Sequence, residues 1–322
     1  MAASPSAGDA VEASESRRAG RGRPRRETFF DRPPTPGVAL ACSLLLALTW
    51  GTTWAAIRVG LPGIPPFLGV SLRFVIASTL QLLLAWALGL SLRGDRLEWT
   101  LRWVHALCVF CISFGITYWV EQTVPSGLAS VLFATFPLFV ALFAALLLPG
   151  ERLGRLALGG LVLGFLGVAT IVSQDFRLLG GREVAIASAI MLGSPLAVAL
   201  GNVIVKRWGE RTHPVTLNAT AMVIAAVVMG MMAALFERDR AVVFDTASVL
   251  ALLYLAVAGS VVTFSLYFWL LRHVPATRVS LIAYLVPVVA VTLGVLAFDE
   301  PVTMRMVVGG GLVLAGVALA NR

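Results

Sequence analysis

Phe114-Gly115-Ile116-Thr117-Tyr118-Trp119-Val120-Glu121-Gln122-Thr123-Val124-Pro125 is answered later in the chain by Phe264-Ser265-Leu266-Tyr267-Phe268-Trp269-Leu270-Leu271-Arg272-His273-Val274-Pro275. Working outward, Phe114, Trp119, Val124-Pro125, Ser130 and Pro137 have same-type partners 150 residues on, at Phe264, Trp269, Val274-Pro275, Ser280 and Pro287. Upstream the offset is 148, which sets Arg58 against Lys206 and Pro66 against Pro214. Downstream it is 149: Glu151, Gly160 and Gly167-Val168 match Glu300, Gly309 and Gly316-Val317. Such drift is what short loop insertions produce between duplicated halves.

The repeat lies in a strongly apolar chain. Of 322 residues 58% are hydrophobic and only 13% charged, and the mean hydropathy is +0.89. A soluble domain carries about 25% charged residues. Composition therefore predicts an all-α polytopic membrane protein. A spanning helix needs roughly 20 mostly apolar residues. Ten such stretches are predicted, at 37–61, 66–91, 103–120, 126–148, 156–173, 184–206, 215–236, 249–271, 278–298 and 304–321. Residues 1–36 lack a hydrophobic period and are rich in Ala, Ser, Gly, Pro and Arg, so they are expected to form a disordered cytoplasmic tail.

The duplication divides the spans into two repeats of five, 37–173 and 174–322. Five is odd, so the second repeat enters the membrane from the opposite side. Ten transmembrane helices as two inverted five-helix repeats are thus expected, an architecture that marks transporters. Basic residues set the orientation. With ten spans both termini share a side, and that side carries eighteen Arg and Lys against six on the other. Both termini are expected in the cytoplasm. The formal charge of +8 is then mostly topology, and no nucleic-acid partner is implied.

Several local patterns resemble the drug/metabolite transporter superfamily, in its ten-helix EamA-like form. The first span holds Trp50-Gly51-Thr52-Thr53-Trp54-Ala55-Ala56-Ile57-Arg58, and the second has Pro66 followed by Arg73-Phe74. The fourth runs from Ala129-Ser130 through Pro137-Leu138 to Glu151, and the ninth repeats it with Ser280, Pro287 and Glu300. The resemblance covers residues 37–322. It implies movement of small metabolites or drugs, often outward, across a bacterial cytoplasmic (inner) membrane. It names no substrate.

Ionisable residues inside a span carry a functional hypothesis by default. Arg73 lies about 10 Å into its helix at 1.5 Å per residue. Its repeat counterpart is Ala221, so the duplication does not require it. Its guanidinium suits a carboxylate or phosphate, and the competing reading is a structural ion pair with Glu121. Arg58 and Lys206 read as anchors at helix ends, and Glu151 and Glu300 as capping groups. No Asp or Glu falls in the middle of a span, which argues against a cationic-drug pump built on one central carboxylate. His105, His213 and His273 are placed near the cytoplasmic face. They form no metal spacing, and no cofactor is implied.

The expected substrate site is polar and aromatic: Trp50, Thr53 and Trp54 on the first span, Arg73 on the second, Tyr118 and Trp119 on the third, Asn202 on the sixth, Tyr267 and Trp269 on the eighth and Tyr284 on the ninth. Aromatic faces with a few hydrogen-bonding tips suit a partly apolar metabolite such as an amino acid. Belts of interfacial Tyr and Trp are the competing reading. Pro137 and Pro287 are expected to kink their helices and to act as hinges. Gly160 with Gly164, and Gly311 with Ala315, permit close helix packing, within the chain or between two copies in a weak dimer. Cys108-Val109-Phe110-Cys111 spells C-x-x-C inside an apolar helix, where packing thiols are expected. Export of amino-acid-like metabolites is the leading expectation. Phosphorylated or lipid-linked sugars, and xenobiotics, are the alternatives. A membrane enzyme would need clustered acids, His or Lys at one membrane face, and the acids here are scattered.

Overall fold

The fold is a computed structural model that describes residues 29–149, 154–172, 181–276, 279, 282 and 285–320. Among these residues there is no strand. Among the described residues ten helices make the bundle: α1 Pro36–Gly60, α2 Pro66–Ala87, α3 Arg96–Val120, α4 Ser126–Leu147, α5 Arg155–Val172, α6 Arg182–Trp208, α7 Pro214–Phe236, α8 Thr246–His273, α9 Leu285–Phe298 and α10 Met304–Ala320. Seven are long and apolar enough to cross a membrane, and α5, α9 and α10 are shorter apolar helices. Large apolar side chains such as Leu83, Leu146, Leu235 and Leu296 point outward and are more than half exposed, as a chain solvated by lipid requires.

The boundaries follow from local chemistry. Thr35 caps α1 ahead of Pro36, which suits a first helical position because it has no N–H to leave unpaired. Asp95 and Asp245 cap α3 and α8 by accepting from the amides of Glu98 and Ser248. α2 and α4 have no such local cap. The amides of Phe67 and Leu68 donate instead to the Glu237 carboxylate, each at 2.9 Å. Those of Ser126 and Gly127 donate to Glu300 at 2.8 and 2.9 Å. A carboxylate at a helix N-terminus also meets the positive end of the helix dipole. We call the end where these caps lie the far end, and the end where α1 begins the near end.

Packing follows the duplication. α1 lies on α9 and its repeat mate α6 lies on α4; α2 packs on α7, and α5 on α10. The two repeats therefore interlock and share one core. α5 and α10 meet backbone to backbone: a Cβ on Gly167 would come within 2.5 Å of the Gly309 carbonyl oxygen, and one on Gly316 within 2.5 Å of that of Gly160. The small residues thus serve contacts within the chain. Gly311, expected in such a contact, has nothing within 4 Å of where its Cβ would stand.

Among the described residues, four helices depart from a regular α-helix near the middle of the bundle. α4 is broken between Phe133 and Phe136, where Pro137 has no N–H to offer the Phe133 carbonyl. α6 is interrupted at Leu192, three residues before Pro195, for the same reason. α3 widens to a π-helix over Ala106–Ile112, and its repeat mate α8 does so over Val257–Val262. The sequence reading anticipated the first break, missed the second and carried no sign of the π segments. Pro287 falls in the first turn of α9; residues 283 and 284 before it lie outside the described residues, as does Glu151.

The stretch expected to be a solvated tail is packed where it is described. Phe29–Asp31 forms a 3-10 turn at the near end. Phe29 lies 4.4 Å from the Trp269 ring and Phe30 5.7 Å from that of His213. Trp269 Nε1 donates to the Arg32 carbonyl, and Asp31 pairs with Arg272 at 3.6 Å.

Candidate functional site

A cavity of about 100 Å³ lies between the two repeats, walled by α1, α3, α4, α6 and α8, the start of α9 and Arg73 of α2. One water needs about 10–15 Å³ on that measure, so the space holds a small solute. Its walls are mostly aromatic: Trp50, Trp54, Phe114, Phe133, Phe136, Phe264 and Tyr267. Trp50 packs 5.2 Å from Tyr267 and 5.8 Å from Phe264; Trp54 packs 5.7 Å from Phe133. Gly51 makes this wall possible, because a Cβ there would overlap Val289 of α9 at 2.5 Å.

Arg73 is the one charged group among the described lining residues, and it is 1% exposed. Its Nε donates to Ser260 Oγ at 2.8 Å, Nη1 to the Tyr118 hydroxyl at 3.2 Å and Nη2 to the Gly259 carbonyl at 2.9 Å. The guanidinium carbon stands 4.6 Å over the Phe114 ring, a favourable cation–π placement. Gly259 and Ser260 belong to the π segment of α8, so the widened turn supplies two of the three acceptors. All three acceptors are neutral. Of five guanidinium N–H groups, two remain for another ligand. Glu121, expected as the structural ion-pair partner, makes no hydrogen bond to Arg73 or to any other described group.

Further polar side chains face the cavity: Asn202, Ser113, Thr117 and Thr53. Asn202 of α6 is 2% exposed and donates from Nδ2 to the Tyr267 hydroxyl at 2.8 Å; its Oδ1 has no partner. Turning the amide over exchanges the roles of the two atoms but leaves one unpaired. Ser113 and Thr117 of α3 lie 2.8 and 3.0 Å from Ser194 Oγ of α6. Thr53 returns its hydroxyl to the Trp50 carbonyl.

The structure gathers Trp50, Thr53, Trp54, Arg73, Asn202 and Tyr267 around one space. Tyr118 sits behind Arg73 and orients it. Two of the expected residues stand elsewhere. Trp119 is 42% exposed beside Phe67, Gln122 and Arg240 at the far end, and Trp269 is buried under Phe29 at the near end. Both follow their repeat positions to the ends of α3 and α8, where a belt tryptophan belongs. Tyr284 lies outside the described residues. Sequence reasoning missed Ser194, Gly259 and Ser260. A Gly-Ser pair in the middle of an apolar span was the available sign of the last two. His105 is fully buried, with Nε2 3.1 Å from Asn218 Oδ1. Among the described residues no group of His, Cys, Asp or Glu has a metal-holding arrangement.

A family model described as the EamA-like transporter family matches residues 35–173 and 185–322, one match on each repeat. Among curated proteins, the uncharacterized inner membrane transporter YedA of Escherichia coli is 34% identical over 257 residues, 77% of this chain and 79% of that protein. An uncharacterized transporter of Archaeoglobus fulgidus is 29% identical over 285 residues, 87% of this chain and 98% of its own length. Protein PagO of Salmonella typhimurium is 28% identical over 254 residues, 78% and 82% of the two chains. A protein known by crystal structure shares the fold at a TM-score of 0.67 and 21% identity, covering 89% of this chain and 97% of that one.

Proposed function

Because the chain belongs to the EamA-like transporter family, we propose that its central cavity carries a small, partly apolar metabolite, an amino acid or close relative, outward across a bacterial cytoplasmic membrane by alternating access. The observation that supports this reading is the pairing of unlike groups around one aromatic space. Arg73 has two N–H groups free for a carboxylate. Asn202 keeps an unpaired amide atom for an ammonium or amide. Trp50, Trp54 and Phe264 offer faces to an apolar side chain. A phosphate dianion is less well served, since no second cation lines the described wall.

Alternating access needs points where helices yield around a fixed site. The breaks in α4 and α6 and the π segments of α3 and α8 lie at the level of the cavity, and they are the proposed hinges together with Pro137 and Pro287. The excess of Arg and Lys at the near end supports cytoplasmic termini.

Uptake into proteoliposomes tests the reading, with labelled phenylalanine, leucine, glutamate, putrescine and glucose 6-phosphate as the panel. Saturable flux of phenylalanine or leucine, lost in Trp50→Ala with the protein still folded, is the expected result. Flux of the sugar phosphate alone would overturn it.

A further inference from the structure

The side chain the transport reading leaves unused is Glu121. It follows the last residue of α3 at the far end and is 1% exposed, and neither carboxylate oxygen has a hydrogen-bond partner. Buried polar atoms nearly always have one, and an ionised carboxylate without one is among the most costly groups to bury. The neighbouring carboxylates are committed. Glu300 holds the Ser126 and Gly127 amides and the Ser126 hydroxyl, and Glu237 holds those of Phe67 and Leu68. Glu121 alone among them has no donor.

The charged groups that act on it come from three elements: Arg58 of α1, Arg73 of α2 and Glu300 from the turn between α9 and α10. Tyr118 adds its hydroxyl from the preceding turn of α3. α6 also packs on this part of α3, and the charges it brings to the far end, Arg182 and Glu183, are exposed. α7 packs on α3 as well; Glu237, just past its end, is the committed cap described above. Arg240 is turned toward Gln122. Arg58 stands 4.0 Å from Glu300. Glu121 and Arg73 are both 1% exposed, and the three hydrogen-bond acceptors of Arg73 are all neutral.

We propose that Glu121 is a proton-binding site linked through Arg73 to the occupancy of the central cavity. With Glu121 protonated, Arg73 lacks a counter-charge and holds an anionic group of the substrate. When Glu121 releases its proton to water at the far end, its carboxylate supplies that counter-charge and the hold on the substrate weakens. By reciprocity, substrate and proton bind together, so they are carried in the same direction. In an exporter the substrate gradient then drives the proton outward. The inference rests on the transport reading for the anionic substrate and the direction of movement, but not for the proton site itself.

The first arm needs no substrate. Infrared difference spectra of the full chain in lipid, with carbon-13 glutamate, are recorded through a pH titration. A protonated-carboxyl band lost in Glu121→Gln but kept in Glu300→Gln is expected. Its titration midpoint should move to higher pH in Arg73→Gln, where the neighbouring cation is gone. A band unchanged in Glu121→Gln, or a midpoint unmoved in Arg73→Gln, overturns the proposal. The second arm follows proton movement during phenylalanine flux. Glu121→Gln should still exchange labelled for unlabelled phenylalanine while proton movement ceases, and proton movement that persists overturns the linkage. Failure of the chain to carry phenylalanine would count against the proposed function, and the infrared arm would still decide the proton site.

Discussion

The Nε of Arg73 lies 2.8 Å from the Oγ of Ser260, a bond that ties the second helix of one repeat to the π segment in the eighth helix of the other. Lysine cannot reproduce it. A compact ammonium has no planar fork with which to satisfy Ser260, Gly259 and Tyr118 at once. Arg73→Lys should therefore lose transport while keeping the charge, and should cost about 1.5–3 kcal/mol in stability, the range for hydrogen bonds to a charged group. Thermal unfolding in detergent measures the second part. An active, equally stable lysine variant would show that the three bonds are incidental.

The bond between Asn202 and Tyr267 makes a different prediction. Tyr267→Phe strips the amide of its one partner and leaves it buried, which costs about 1–3 kcal/mol. Replacing both residues by apolar groups removes the unsatisfied group as well. The double variant Asn202→Leu with Tyr267→Phe should thus unfold at a higher temperature than Tyr267→Phe alone. Transport should be lost in both, because the amide that faces the cavity is impaired in one and absent in the other.

How far the sequence reached depends on which physical signal each feature leaves. Apolar spans and the repeat of Phe114 to Pro137 are long-range patterns, and they predicted the ten helices and their division into two repeats, though not which helices pack together. The α4 break was legible because Pro137 has a fixed chemical effect. Six of the ten expected site residues meet at the cavity because helical spacing from a shared depth can be counted. Trp119 and Trp269 do not, because repeat symmetry equates positions at opposite ends of the bundle. The π segments leave no compositional trace: Ala106–Ile112 reads as ordinary apolar helix. The isolation of Glu121 was also hidden, since spacing placed it beside Arg73 but could not show that Arg73 is already engaged by Ser260, Tyr118 and Gly259.

The α5–α10 seam predicts a contrast between glycines that look alike in sequence. Gly167→Ala sets a methyl group 2.5 Å from the Gly309 carbonyl oxygen, and backbone cannot step aside as a side chain does. A loss of about 1–3 kcal/mol is expected from such overpacking. Gly311→Ala meets nothing within 4 Å and should gain helix propensity of up to about 1 kcal/mol. Melting temperatures of the two variants should move in opposite directions.

Glu300 serves as the cap of a helix from the other repeat. Glu300→Gln keeps an acceptor for Ser126 and Gly127 but removes the charge that meets the dipole of α4, so a loss of up to about 2 kcal/mol is expected. Glu300→Ala abandons both amides and should be worse. Equal melting temperatures for the two would assign the stabilisation to the charge alone, which both variants lack.

Gly259→Ala separates the demands of the helix from those of the site. In an ordinary helix the change is favourable by about 1 kcal/mol. Here the new methyl group would stand 2.9 Å from Thr53 Cγ2 and 3.2 Å from Arg73 Nη2. Both neighbours are side-chain ends, so the fold has room to adjust, and the adjustment falls on the guanidinium. The bond from Nη2 to the Gly259 carbonyl is the contact that must lengthen. The variant should therefore fold and melt within about 1 kcal/mol of the parent chain while its KM for the transported amino acid rises, with little change in turnover. Unaltered KM would mean that the position of Arg73 does not govern how the substrate is held.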